Sequence, residues 1–198
     1  MTAQINDEVF YRKTSYSIAG ISGSGLFEPQ SHAIEPVSMS SACWRGYHVE
    51  YAIEAKQLFL TRVTLGLSKK DELRAKAGHG PALFDVKPRY DEQGWGCVYA
   101  PLRVPILFSG GLLLGNRFID QLYVHMGFHP AWKYRQVHEV LFERGQLTGE
   151  LDRSSKMEEL RLHLSAQPLQ PGPQDSIAQM RDWIAKCFSL DYTHNPNG

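Results

Sequence analysis

Residues 108–147 read FSGGLLLGNRFIDQLYVHMGFHPAWKYRQVHEVLFERGQL, and their pattern decides the predicted fold. The stretch joins dense apolar clusters to a Gly-Gly break and to a second turn signal at residues 143–146. Apolar and polar side chains alternate over residues 121–126, which is the period of a strand with one buried face. Residues 134–142 are predicted to form a further strand, although their spacing also fits a helix. We therefore predict that this stretch supplies the central hairpins of a β-sheet.

The same alternation predicts two strands earlier in the chain. Residues 47–54 read YHVEYAIE, in which tyrosine, valine and isoleucine occupy every second position. A turn at residues 54–57 and the apolar, β-branched run at residues 58–65 complete an antiparallel hairpin. Residues 1–41 have no clear pattern, apart from one or two short strands expected within residues 9–19.

One glycine-rich segment in this N-terminal part resembles a phosphate-binding loop. Residues 20–25 read GISGSG, but they match neither G-x-x-x-x-G-K-[ST] nor G-x-G-x-x-G. No lysine follows and no helical pattern opens after the segment. We predict a flexible turn there.

The C-terminal quarter changes from strand to helix patterns. Ser155 and Glu158 form a capping-box signature that predicts a helix to about residue 165. The proline-rich residues 167–173 are predicted as a linker. A second helix, capped by Asp175 or Ser176, would pack an apolar stripe on the sheet. The stripe consists of Ile177, Met180, Ile184, Cys187 and Phe188.

These patterns predict one domain over residues 1–198, with a β-rich core at 42–148 and a helical part at 154–190. The predicted class is α+β: a mainly antiparallel β-sheet of hairpins with C-terminal helices packed against it.

Composition excludes several classes of function. The 198 residues carry a formal net charge of +0, which argues against non-specific nucleic-acid binding. No apolar run approaches the roughly 20 residues needed to span a bilayer, and no secretory signal opens the sequence. The three cysteines are widely spaced and match no disulfide or zinc pattern. A protein of the reducing cytoplasm, without a membrane or nucleic-acid partner, is expected.

Three of the eight histidines, His125, His129 and His138, lie in the central stretch. A zinc site with a four-residue histidine spacing needs a helix to bring both rings to one face. Here His125 is predicted on a strand, and Gly127 and Pro130 interrupt the spacing. We predict no metal, no cofactor and no catalytic residue.

Two alternatives stay open at this point. The first is a small hydrolase that uses the three histidines with a nearby carboxylate such as Glu139. The second is a small-molecule-binding domain with an aromatic pocket.

The loop at residues 127–132, GFHPAW, is the predicted functional surface. Loops on a rigid sheet often carry function, and large aromatic side chains are costly to expose without use. The predicted partner-binding residues are Phe128, His129, Trp132, Lys133 and Arg135. The alternative is that Phe128 and Trp132 turn inward and cap the core.

Several short motifs also resemble a known group of proteins. They are WRGY at residues 44–47, FSGGL at 108–112, YVHMGF at 123–128 and FERGQL at 142–147. Together they are similar to signatures of a group of small uncharacterised bacterial proteins, over roughly residues 42–148. This chain has Leu107 where the group has a tryptophan, and Phe128 where it has a tyrosine.

Members of that group look like immunity-type or accessory proteins of bacterial toxin and secretion loci. The resemblance implies a cytoplasmic protein that binds and neutralises a cognate partner, possibly a toxin, and that is not an enzyme. It supplies no catalytic residues.

Overall fold

The computed structural model describes residues 2–91, 96–164 and 176–194. Within them the strands are β1 Glu8–Tyr11, β2 Thr14–Ser24, β3 Tyr47–Glu54, β4 Gln57–Leu65, β5 Arg89–Asp91, β6 Gly96–Tyr99, β7 Val104–Pro105, β8 Ser109–Phe118, β9 Tyr134–Glu143 and β10 Gln146–Asp152. The α-helices are α1 Lys69–Lys76, α2 Ser154–Leu164 and α3 Ile177–Cys187. Short 3-10 helices cover Pro29–His32, Asp120–Leu122 and Ala131–Lys133.

Seven of the strands close into a barrel. They follow the order β10-β9-β8-β2-β1-β3-β4, and β4 pairs again with β10. The pairing of β1 with β3 is parallel, whereas the other strand pairings are antiparallel. A mainly antiparallel β-fold with additional helices is thus confirmed. The predicted arrangement of simple hairpins needs correction, because the sheet is mixed and closes on itself.

Few contacts close the barrel between β4 and β10. The amide of Leu58 donates to the carbonyl of Gly145 at 2.9 Å, and the amide of Leu147 donates to that of Lys56 at 2.7 Å. Gly145 has φ of 84°, and a Cβ there would lie 2.0 Å from the Ile106 carbonyl oxygen. A glycine is therefore required for this approach.

The inward-facing side chains form one apolar core. Alternate positions on the barrel strands supply it, as expected for strands with one buried face. Fully buried members are Val9, Ile18, Val49, Leu58, Leu60, Val63, Leu112, Leu114 and Val140. Each such side chain contributes roughly 1.5–3 kcal/mol through its removal from water.

A second, smaller apolar cluster covers the outside of β2, β8 and β9. It consists of Ala19, Leu113, Ala131, Tyr134 and Val137, with Phe118, Met157 and Tyr192 packed against it. We call this cluster the outer layer. Helix α2 packs on β9 and on Ala131–Lys133 beside it. The guanidinium of Arg161 donates to the carbonyls of Trp132 and Tyr134, each at 2.8 Å.

Two predictions about the strands were wrong in detail. Residues 121–126 form the end of a 3-10 helix and a loop, since β8 already ends at Phe118. Residues 20–25 are not a flexible turn, since β2 continues to Ser24 and pairs with β8. Glycines face each other in that pairing, and a Cβ on Gly23 would lie 2.1 Å from the Ser109 carbonyl oxygen.

The predictions for the C-terminal helices had mixed outcomes. Helix α2 begins at Ser154, one residue before the predicted cap, and Ser176 caps α3 in a capping box with Gln179. The predicted stripe on α3 is covered in part. Ile177 is 74% and Met180 is 45% exposed, whereas Ile184, Cys187 and Phe188 are partly buried. At this C-terminal end the Cys187 carbonyl accepts from the Phe128 amide, and the Phe188 ring stacks on Trp44. The predicted linker at residues 167–173 lies outside the described residues.

Candidate binding groove

The predicted functional loop faces the segment that follows α3. We call residues 187–194 the C-terminal segment. Its residue Cys187 accepts a hydrogen bond from the Phe128 amide at 2.7 Å. A Cβ on Gly127 would lie 1.9 Å from the Cys187 carbonyl oxygen, so the loop can approach only through a glycine. We call the space between residues 123–133 and residues 186–191 the groove.

The C-terminal segment is also fixed to β2. The Ile21 amide donates to the Leu190 carbonyl at 2.7 Å, and the Tyr192 amide donates to the Ile21 carbonyl at 3.1 Å. This pairing places the segment beside the outer face of the barrel.

The groove contains two adjoining recesses. The first has a cavity volume of about 340 Å³ and the second about 620 Å³. Phe128, Ser189 and Asp191 line both. The first recess is further lined by Val124, Met126, Pro130, Trp132, Lys133, Lys186 and Cys187. The second is further lined by Gln4, Ile21, Trp44, Arg45, Phe188 and Leu190.

Aromatic side chains surround these recesses. Trp44 stacks on Phe188 with ring centroids 5.5 Å apart and remains 48% exposed. Tyr123 is outside the lining of both recesses; it is 44% exposed and contacts the ring of His129, with centroids 5.1 Å apart. Phe128 and Trp132 are half-buried. The groove therefore presents a partly exposed aromatic surface beside two depressions.

His129 is buried beneath this surface. Its ring contacts Phe118 at 4.7 Å between centroids, and its Nδ1 lies 3.4 Å from Lys133 Nζ. Its Nε2 is buried, and none of the described residues forms a hydrogen bond with it. Burial and the charge of Lys133 lower the pKa of His129 to about 4. The ring is thus neutral at physiological pH.

Lys133 is the most unusual residue of the groove, because it is only 5% exposed. Its Nζ lies 5.4 Å from the centroid of the Trp132 ring, within range of a cation–π contact. No carboxylate of the described residues forms an ion pair with it. Burial lowers the pKa of the amine. A buried lysine without a carboxylate partner is rare in folded proteins.

The structure brings four of the five predicted partner-binding residues into or beneath the groove. Phe128 lines both recesses, and Trp132 and Lys133 line the first. His129 lies below them, against Lys133. Arg135 is exposed on β9 and is not among the residues that line either recess.

The three histidines of the hydrolase alternative do not converge. His125 and His129 both contact Tyr123. His138 lies in another cluster, with Glu150 at 3.4 Å and Gln136 at 3.1 Å. Among residues 2–91, 96–164 and 176–194, no group of three side chains could hold a metal ion.

Sequence reasoning missed a buried polar cluster around Glu139 on the outer layer. Glu139 is 1% exposed and accepts hydrogen bonds from Arg153 Nε at 2.7 Å and from the Tyr192 hydroxyl at 2.9 Å. His194 Nδ1 lies 2.7 Å from the same carboxylate. Burial alone would raise the pKa of Glu139, but these hydrogen bonds outweigh it and lower the pKa.

Gly111 makes this cluster possible. A Cβ at residue 111 would lie 2.2 Å from the Tyr192 hydroxyl. The sequence signal for this packing is the Gly-Gly break. A turn expected at this break is wrong, because Gly110 and Gly111 lie within β8 and pair with β2 and β9. The cluster ties the C-terminal segment, and with it one wall of the groove, to β9.

Comparison with known proteins gives no further identification, since no family, curated protein or solved structure matches the chain. In the described part of the chain, no helix has both the length and the apolar character to cross a membrane.

Proposed function

We propose that this chain is a binding protein that captures a partner protein at the groove. The observation that carries the proposal is the partly exposed aromatic surface of Trp44, Tyr123, Phe128 and Trp132 beside two recesses. Aromatic side chains contribute most of the binding energy at many protein interfaces, and recesses accept the partner's anchoring side chains. A closed barrel provides a rigid support for such a surface.

The resemblance of the WRGY, FSGGL and YVHMGF motifs to immunity-type bacterial proteins supports the same proposal and suggests the kind of partner. The partner would be a cognate protein, possibly a toxin, that the chain neutralises by occupying a functional surface. Such a protein would act in the bacterial cytoplasm.

The proposal is tested with Trp132→Ala. The partner is first identified by capture from the native host and purified, and affinities are then measured by calorimetry. We expect the variant to bind about 30-fold more weakly, since loss of a buried aromatic anchor costs about 2 kcal/mol or more. Phe10→Ala is the matched control, because Phe10 is 53% exposed on β1 and does not line either recess.

Thermal unfolding of both variants separates loss of binding from loss of fold. Unchanged affinity of a folded Trp132→Ala variant would contradict the proposal. An equal loss in Phe10→Ala would place the interface elsewhere.

The structure supports the hydrolase and the small-molecule alternatives to different degrees. The hydrolase alternative has little support, because His138 lies in a separate cluster from His125 and His129. The small-molecule alternative is favoured by one observation, the mainly apolar first recess of about 340 Å³, a volume within the range of ligand pockets.

A further inference from the structure

The first recess has a wall that carries positive charge without a matching negative charge. Lys133 is 5% exposed, and its amine contacts the His129 ring and the face of Trp132. Buried charged groups in proteins are normally paired, because removal from water costs several kcal/mol per ion. No described residue therefore provides the anion that normally pairs with a buried amine such as that of Lys133.

The neighbouring groups cannot supply that anion. His129 is neutral at physiological pH, as described above, and a protonated ring would add positive charge. Burial raises the pKa of the Cys187 thiol, so this lining group also stays neutral. The lining includes a second cation, Lys186, and one carboxylate, Asp191, which accepts a hydrogen bond from the Ser189 hydroxyl at 2.8 Å. Among the ion pairs of the described residues, none joins Asp191 to Lys133.

The rest of the recess is apolar. Val124, Met126, Phe128, Pro130 and Trp132 supply its hydrophobic lining. A ligand that fits must therefore combine an apolar body with an acidic group that reaches the amine of Lys133. Charge-assisted hydrogen bonds between an amine and an acid are about twice as strong as neutral ones, and stronger still away from water.

We propose that the first recess binds a small amphipathic acid, with its aromatic or aliphatic body against the apolar lining and its acidic group paired with Lys133. This inference rests on the small-molecule alternative and names its ligand class. It does not depend on capture of a partner protein.

The test compares two fluorescent probes with the same aromatic body. 1-Anilinonaphthalene-8-sulfonate carries an acidic group, and N-phenyl-1-naphthylamine lacks it. We expect the native protein to bind the sulfonate about tenfold more tightly, which is the scale of one charge-assisted hydrogen bond. In Lys133→Met the preference should disappear through weaker sulfonate binding, while binding of the neutral probe is kept.

Lys70→Met is the matched control, because Lys70 is exposed on α1 and does not line the recess. It should leave both affinities unchanged. Equal affinity of the native protein for both probes, or unchanged sulfonate binding in Lys133→Met, would overturn the proposal. Far-ultraviolet circular dichroism and a cooperative unfolding transition check that each variant is folded, since the sulfonate also binds partly unfolded protein.

A competition experiment on the native protein tests the proposal without any substitution. Octanoate should displace the sulfonate probe at about tenfold lower concentration than 1-octanol, because only octanoate can pair with Lys133. Equal displacement would overturn the acid class. Failure here, with partner capture that Trp132→Ala weakens, would leave the partner-binding proposal in place. Unchanged partner capture in a folded Trp132→Ala variant, with the probe preference intact, would overturn the partner-binding proposal and leave this one in place.

Discussion

Glu139 and Lys133 are both buried charged residues on the outside of the barrel, yet their surroundings are opposite. Glu139 is surrounded by Arg153, Tyr192 and His194, all within hydrogen-bond distance of its carboxylate. Lys133 has a neutral histidine and an aromatic face. The two residues lie six positions apart in the sequence.

This difference separates a structural role from a binding role. A buried charge whose partners all come from the same chain stabilises that chain's fold once it is formed. A buried charge without such partners lowers the stability of the fold. A residue that destabilises the fold in this way is expected where its side chain has a function. The Glu139 cluster holds the groove wall in place, and the unpaired position of Lys133 is the basis for the proposed ligand site.

The largest expected effect concerns the paired charge. Glu139→Ala should lower the free energy of unfolding by about 3–5 kcal/mol, because it removes the buried carboxylate to which Arg153 and Tyr192 donate hydrogen bonds. Urea unfolding at neutral pH measures the loss. Glu143→Ala is the matched control on the same strand, since Glu143 is exposed, and it should change stability by less than about 0.5 kcal/mol. Similar losses in the free energy of unfolding of the two variants would show that Glu139 has no special structural role.

The next effect concerns the neutral ring beside Lys133. The pKa of His129 falls from 6.5 to about 4 on folding, so from pH 6.5 downward the unfolded chain binds a proton that the folded chain excludes. The free energy of unfolding should therefore fall between pH 6.5 and 4, by about 3 kcal/mol in total. Above pH 6.5 this contribution is fully present.

In His129→Leu that part of the pH dependence should be absent. Denaturant unfolding at several pH values, for the native protein and the variant, measures the difference. His163→Leu removes a histidine exposed on α2 and should keep the native slope. A native slope in His129→Leu would show that the ring is not held neutral.

The smallest effect should have the opposite sign. Lys133→Met replaces the unpaired amine with an apolar side chain of similar length, and should raise the free energy of unfolding by about 1 kcal/mol. Urea unfolding alongside Lys70→Met, which should be neutral, measures it. A decrease of 2 kcal/mol or more would mean that Lys133 is already satisfied within the fold.

The strands were predictable where the signal is local. The alternation of Tyr47, Val49, Tyr51 and Ile53 correctly predicted β3, and Val49 and Tyr51 are fully buried. Closure of the barrel was not predictable in this way. Closure requires Gln57 to pair with Gln146, and β1 to lie parallel to β3. Neither pairing produces a periodic pattern of residues in the sequence.

The candidate site was also predictable only where its sequence signal is local. The aromatic, proline-containing loop identified Phe128 and Trp132 as a candidate surface, but its opposite wall comes from residues near 190. Nothing local indicates that Lys133 is buried, because a lysine beside a loop is normally solvated. The partners of Glu139 lie up to 55 positions away along the chain, so only the folded structure brings them together.

The hydrogen bonds that hold the walls of the groove affect the thermodynamics of binding. The Cys187 carbonyl holds Phe128, Ile21 holds Leu190 and Tyr192, and Arg161 holds the backbone of Trp132. These hydrogen bonds fix the backbone of both walls, so a ligand does not have to order that backbone when it binds. Association can therefore proceed without a preceding rearrangement of the main chain.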